Sequence, residues 1–457
     1  MSDETRPPTR PATFREVFAA GEFRALFSAA VLSWVGDYMA KAAVTVMVYR
    51  ETDSVALSAA AFAISYLPWL IGGPLLATVA ERNPYRTVMV VCDLIRMVLI
   101  ALVAVPGMPI WAMLVLLFAT MLANPPSQAA KSALLPLILT GDRLVVGISV
   151  NSSASQAAQV GGYVAGAAVA AVNPRAALII DAVTFALSAL IIRLGVHHRP
   201  PAMAQERRSH LFRETSEGFT IVFGTPVLRA IAVLVFTAML FAIVPEGLAA
   251  AWAAQHSESS TDRGLAQALI MAASPLGFIL GGLVIGRGVP PERRRALVRP
   301  FAVLAPLALV PALLDPPPVA VAALAAICGF SVAGLLPVAN GLFVQALPHG
   351  YRARAFGVMA TGMQVMQGVA VFATGLLADR YPLPMVVGLW SLAGVLAMLL
   401  CAWRWPSSER FAAAIAAANE ARVPTPPSQA TSARSAAPRP SQRAAPASAP
   451  DGRPASR

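Results

Sequence analysis

The sequence predicts an all-α integral membrane protein with twelve transmembrane helices in two six-helix pseudo-repeats. Three observations carry that prediction: a shortage of charge, recurring apolar runs of span length, and motifs repeated at one offset. Hydrophobic residues make up 57% of the 457-residue chain and charged residues 13%, where an ordinary soluble domain carries about 25% charge. Mean hydropathy is +0.65. A soluble chain of this length needs a polar coat that this composition does not supply. A soluble enzyme, a fibrous protein and a disordered chain are excluded.

About 20 residues of helix cross the ~30 Å hydrocarbon core. Runs of that length predict spans near 24–49, 56–80, 86–106, 110–127, 143–172, 175–194, 227–250, 264–286, 298–314, 318–346, 354–377 and 383–404. The breaks between them read as turns: Arg50-Glu51-Thr52-Asp53, Arg82-Asn83-Pro84, Asn173-Pro174-Arg175 and Asp315-Pro316-Pro317-Pro318. The seam between the fourth and fifth spans is crossed by Pro125, Pro126 and Pro136. The polar N-terminus lacks the apolar core and cleavage site of a signal peptide.

Basic residues set the orientation. With the N-terminus inside, sixteen Lys and Arg, Lys131 among them, fall in inner loops, and four (Arg50, Arg175, Arg263 and Arg380) fall outside. Both termini are therefore expected in the cytoplasm of a cell with an inner (plasma) membrane. The net charge of +12 reads as this loop bias rather than as a nucleic-acid surface. The expected organisation is a cytoplasmic segment 1–22, a six-helix bundle 23–194, a basic cytoplasmic loop 195–226, a second bundle 227–404, and a tail 405–457. That tail is rich in Pro, Ala and Ser from about residue 421, where disorder is expected.

The halves match internally. Residues 72–86 (GGPLLATVAERNPYR) and 281–295 (GGLVIGRGVPPERRR) both open on Gly-Gly and end on Arg. Leu135-Pro136 followed by Arg143 and Gly147 matches Leu347-Pro348 followed by Arg354 and Gly357. Both pairs are offset by about 210 residues, as a duplicated six-helix unit requires.

These features resemble the major facilitator superfamily, and within it the twelve-span drug:proton antiporter type that includes macrolide-efflux-like bacterial permeases. The likeness covers roughly residues 15 to 405. It rests on Gly36-Asp37, on Asp93-Leu94-Ile95-Arg96, on Ala133-Leu134-Leu135-Pro136, on Asp181-Ala-Val-Thr184-Phe185, on Glu217-Gly218-Phe219 and on Arg354-Ala-Phe356-Gly357. The family's loop after the second span is degenerate here, with Glu81, Arg82 and Arg86 in its charged positions, and its arginine in the fourth span is absent from WAMLVLLFATML. The resemblance implies a secondary transporter that works by rocker-switch alternating access, exports an amphiphilic organic compound or drug in exchange for protons, and acts as a monomer. Other readings are an exporter or uniporter of an endogenous metabolite or siderophore, and a receptor or scaffold on the same fold.

Charges inside spans each cost about 2.5–3.5 kcal/mol on insertion scales and so need a partner or a wet cavity. Asp37 and Lys41 stand four apart on one face of the first helix. They form either a self-neutralising pair or a proton- and substrate-binding carboxylate with a neighbouring cation. Glu246 follows Pro245 in the seventh span and joins that candidate site, facing either the cavity or the outer rim. Asp93 and Arg96, three apart, are expected to form a cytoplasmic gate with Glu81, Arg82 and Arg86. Polar and soft residues that could line a cavity are Trp34, Asn151, Ser155, Gln159, Met363, Gln364 and Gln367. Packing between helices is the alternative for each. Gly162-x-x-x-Gly166 reads as close helix packing. No phosphate loop, H-E-x-x-H or nucleophile elbow is present. Neither an enzyme nor a cofactor or metal is expected; the partners are a small molecule, protons and the bilayer.

Overall fold

The computed structural model describes residues 13–69, 82–200, 211–347 and 352–420. Among these, every regular element is a helix. Nine helices among the described residues are long and apolar enough to cross a bilayer: span 1 (Gly21–Thr52), span 4 (Ile110–Ile138), span 6 (Pro174–Gly195), span 7 (Pro226–His256), span 8 (Ser260–Gly288), span 9 (Arg293–Leu314), span 10 (Pro318–Ala346), span 11 (Arg354–Ala378) and span 12 (Leu383–Trp403). Helices Val55–Ala63, Tyr85–Val103 and Asp142–Val172 occupy the places of spans 2, 3 and 5, consistent with a twelve-span plan. Each falls short in apolar length for a reason. Residues 70–81 lie outside the described residues, as do Glu81 of the expected gate and the first Gly-Gly repeat. Span 3 carries Arg86, Asp93 and Arg96, and span 5 carries Asn151, Ser152, Ser155, Gln156 and Gln159.

Span 4 differs from the expectation. It continues past Ala123 as a second helical segment, Asn124–Ile138, so Lys131 stands inside the helix and not in a loop. Pro125 and Pro126 fall in the first turn of that segment, where a missing N–H leaves no hydrogen bond unmade. The central loop also contains a helix, Leu211–Gly224, and the tail begins with another, Ser408–Glu420. Residues 421–457 lie outside the described residues.

The packing obeys the repeat seen in the sequence. Span 1 packs on spans 5 and 6, as span 7 packs on spans 11 and 12; span 3 packs on span 6, as span 9 packs on span 12. Between bundles, span 2 meets span 11 and span 5 meets span 8. Shifting the first of those contacts by six spans produces the second.

In a bilayer helices are not driven together by water, so close backbone approach and dispersion matter more. Gly162 and Gly166 let span 5 rest directly on span 1. A Cβ at Gly162 would lie 2.7 Å from the Val35 carbonyl oxygen, and one at Gly166 2.6 Å from that of Met39. Gly277 of span 8 and Gly329 of span 10 face each other's helix, each with a neighbouring backbone carbonyl 2.0 Å from where a Cβ would sit. Gly277→Ala therefore forces two backbones apart and should cost at least the ~1–3 kcal/mol typical of overpacking. Gly282→Ala, one turn on with nothing within 4 Å, should be near neutral. Melting curves of the two purified variants in detergent check this; equal stabilities would refute the packing argument.

Hydrogen bonds between the bundles cluster on the face opposite the termini. Asp379, just past span 11, accepts from Ser54 Oγ at 2.8 Å and from the Ala56 amide at 2.9 Å. Gln267 of span 8 donates to the Ala42 carbonyl at 3.0 Å and to Thr45 Oγ1 at 3.2 Å. On the terminal face the clamps stay within a bundle. Glu22 accepts from the His197 amide at 3.0 Å and pairs with Arg199, a hydrogen bond that raises the Arg199 pKa. Glu217 pairs with Arg354, and Gly218 lets the Leu211–Gly224 helix approach the Arg354 backbone.

Candidate functional site

Asp37 sits at the middle of span 1, with about equal lengths of helix on either side. Its partner is not Lys41. Arg96 of span 3 reaches across and pairs with the Asp37 carboxylate. The Arg96 guanidinium also lies 4.1 Å over the ring of Phe185 from span 6. Asp93 and Arg96 of the expected gate are thus not paired with each other. Asp93 instead accepts from Ser188 Oγ at 2.6 Å. Spacing along one helix finds neighbours on that helix; Asp37 offers Arg96 a carboxylate from a different one.

Gly36 explains why this arrangement fits. A Cβ there would lie 2.2 Å from both Asp181 Oδ1 and Thr184 Oγ1, so glycine alone lets span 6 carry those polar groups against span 1. Asp181 accepts from Thr184 at 3.2 Å. Asp37, Asp93, Asp181 and Arg96 are all buried in the N-terminal bundle, Arg96 only 1% exposed. Two of their polar atoms, Asp93 Oδ1 and Arg96 Nε, have no hydrogen-bond partner. The other described gate residues, Arg82 and Arg86, form no hydrogen bond or ion pair with this cluster. Arg86 donates to the Val196 carbonyl at 3.3 Å, and Arg82 is exposed.

Lys41, one turn along, points into an aromatic cage. Its Nζ lies 5.1 Å from the ring centroids of both Tyr38 and Tyr66, a distance at which the ring faces attract a cation. Tyr38 packs edge-on against Tyr163, with centroids 5.2 Å apart. The Tyr163 hydroxyl donates to Glu246 Oε2 at 3.0 Å, and Gln159 approaches the same oxygen at 3.5 Å. The cage thus connects the lysine of span 1 to the carboxylate of span 7.

Pro245 places Glu246. Span 7 breaks at Ile243 into Pro226–Ala242 and Val244–His256, and Glu246 falls in the first turn of the second segment. The positive end of a helix dipole favours a carboxylate there. Glu246 faces inward, lining a cavity of about 480 Å³ between the bundles. From Glu246 and Gln159 the cavity follows successive turns of span 5, past Ser155 and Asn151, toward the terminal face.

Of the expected lining residues, Trp34, Asn151, Ser155, Gln159 and Gln367 line this cavity. Met363 and Gln364 do not; Gln364 accepts from Gln367 at 3.3 Å, and Met363 packs against the apolar interior of the second bundle. The sequence reading missed Ser152 and Gln156, one position from the four-residue stripe it followed, and Gln128, assigned to a loop because of the prolines before it. Ser274, beside the in-helix Pro275 of span 8, and Phe278 were also missed. Amides, hydroxyls and one carboxylate, set among Trp34, Met239, Phe278 and Leu336, suit a molecule with an apolar body and a polar or cationic group.

Comparison with known proteins agrees with this plan. A family model described as Major Facilitator Superfamily matches residues 26–370. Macrolide efflux protein A of Streptococcus pyogenes is 21% identical over 370 residues, covering 79% of this chain and 90% of that protein. Among solved structures, a POT family transporter in complex with 5-aminolevulinic acid aligns with a TM-score of 0.65 at 12% identity, over 83% of this chain and 94% of that one. A variant of the nucleoside transporter NupG aligns at 0.65 and 15% identity, over 84% and 100%. A bacterial homologue of the human lysosomal transporter Spinster aligns at 0.63 and 13% identity, over 87% and 96%. With the repeat in its sequence, the matching repeat in its packing and a family match across most of its length, this chain is a transporter, not an enzyme, and belongs to the Major Facilitator Superfamily.

Proposed function

We propose that the protein exports an amphiphilic organic compound, cationic or amine-bearing, across the plasma membrane in exchange for protons. The observation that supports this most is Glu246 at the inner end of a cavity walled by both bundles. In this reading Glu246 binds the cationic group of the substrate, with the amides of Asn151, Gln159 and Gln367 orienting its polar atoms. Both termini lie in the cytoplasm, so the cavity faces the compartment from which substrate is collected. The protein acts as a monomer, since one chain supplies the whole cavity.

Rocking of the bundles then breaks the bonds of Asp379 and Gln267 and opens the other side. Protons return through the carboxylates. Glu246 takes a proton once the substrate has left, which spares an unpaired charge in the closed site. Asp37 takes a second; Arg96, released from it, turns its free Nε toward the unsatisfied Asp93 Oδ1. The three-residue spacing of Asp93 and Arg96 allows that exchange. The similarity to a macrolide efflux protein favours export over uptake.

The test is substrate-triggered proton release in everted membrane vesicles, read with a pH-sensitive dye against a panel of cationic and macrolide-like compounds. A response to at least one compound, absent from vesicles without the protein, is expected. Silence toward the whole panel, with the protein verified in the membrane, would remove the drug-export reading and favour an endogenous metabolite or uncoupled transport.

A further inference from the structure

A second site lies on the terminal face of the C-terminal bundle, away from the central cavity. A cleft of about 1160 Å³ separates the start of span 9 from the Ser408–Glu420 helix. Arg295 and Arg299 enter it from span 9, four apart and on one face. Trp405, Phe411 and Ile415 supply its apolar wall.

Next to it, a narrower groove of about 280 Å³ runs between spans 8 and 10, lined by Gly282, Gly286, Gly341 and Pro337. Nothing lies within 4 Å of where a Cβ would stand on any of the three glycines. Arg295 and Leu342 line both spaces.

The charge in this region is unbalanced. Among the described residues no carboxylate lines either space. Arg294 is already committed, capping the end of span 8 through the Val289 carbonyl at 2.6 Å and the Gly286 carbonyl. Arg295 donates to Gln345 at 3.3 Å. Among the described residues Arg299 has no hydrogen-bond or ion-pair partner. Trp403 is 79% exposed at the end of span 12, as expected of an aromatic side chain at a membrane surface.

We propose that Arg295 and Arg299 bind the phosphate of an anionic phospholipid, with an acyl chain laid in the glycine-floored groove between spans 8 and 10. A guanidinium pair with no carboxylate beside it among the described residues matches a phosphodiester, and basic pockets between spans hold anionic head groups. A zwitterionic head group brings its own cation toward the arginines and is disfavoured. The groove accounts for three glycines that no helix contact requires. The site is independent of the transport reading.

The test uses the purified full-length protein, delipidated in detergent, and follows its melting temperature. Phosphatidylglycerol should raise it, phosphatidylcholine should not, and inorganic phosphate alone should not. Arg295→Gln combined with Arg299→Gln should weaken the apparent phosphatidylglycerol affinity at least ten-fold. Arg293→Gln, which lines neither space, should leave it within two-fold. Gly341→Leu fills the groove without changing charge and should weaken it as well. Equal responses to the two lipids overturn the proposal, and so does an equal loss in Arg293→Gln. A response to phosphate matching that to lipid replaces the lipid site with a free-anion site. If the double variant fails to fold, the lipid comparison on the unaltered protein and Gly341→Leu still decide.

Discussion

Glu246→Gln is expected to cut substrate-triggered proton release sharply, through weaker substrate binding and the loss of the proton carried by Glu246, while the protein stays folded and in the membrane. The substitution keeps the side-chain shape, and its amide oxygen still accepts from Tyr163, which donates to Glu246 at 3.0 Å. What disappears is a negative charge in a site that is only 4% exposed. A hydrogen bond to a charged group contributes ~1.5–3 kcal/mol, so substrate affinity should fall roughly 10- to 150-fold. Coupling at this residue should vanish, because an amide does not exchange a proton. Glu246→Asp retains the charge but withdraws it by one methylene, and should show weakened yet coupled transport. Normal export by Glu246→Gln, measured in the same vesicles, would show that the carboxylate neither binds substrate nor carries the proton.

Asp37→Asn should first of all destabilise the N-terminal bundle. It leaves Arg96, 1% exposed, without its ion-pair partner, and breaking a buried pair from one side costs ~3–5 kcal/mol. Lower yield and a lower melting temperature are expected, so lost activity in this variant alone decides nothing. The double variant Asp37→Asn, Arg96→Gln removes both charges and should recover most of the stability. Its transport then separates two roles. If Asp37 carries a proton, the double variant folds but transports with one coupled proton fewer. If the pair only holds spans 1 and 3 together, the double variant transports normally and Asp37 leaves the mechanism. A double variant less stable than Asp37→Asn would contradict the ion-pair geometry itself.

Much of this architecture was legible in the sequence because hydrocarbon imposes one length and one polarity on each span. The expected edges of spans 5, 6, 8, 10, 11 and 12 differ from the observed helices by only a few residues. The repeat was legible for the same reason, since duplicated helices keep their breaks in register. The sequence reading ends span 4 at residue 127, eleven residues early, because Pro125, Pro126 and Pro136 interrupt the seam that follows, although Pro125 and Pro126 open a helical segment, where proline is tolerated. The site was less legible because its contacts run between helices. A four-residue spacing correctly placed Asp37 and Lys41 on one face but could not show that Arg96 claims the first and two tyrosine rings the second. Glu246 was ambiguous until the kink at Pro245 gave it a direction.

Asp379 joins two events that are usually separate. Its carboxylate accepts from the Ala56 amide and the Ser54 hydroxyl at the start of span 2, so a residue of one bundle completes the helix end of the other. When the bundles part on that face, span 2 loses part of its cap, and a lost cap costs about 0.5–2 kcal/mol. That loss tilts the resting population toward the closed face by roughly a factor of 2 to 30. Fraying at one helix end and the timing of the whole cycle thereby become a single variable, which natural variation at residue 379 could adjust without touching the cavity.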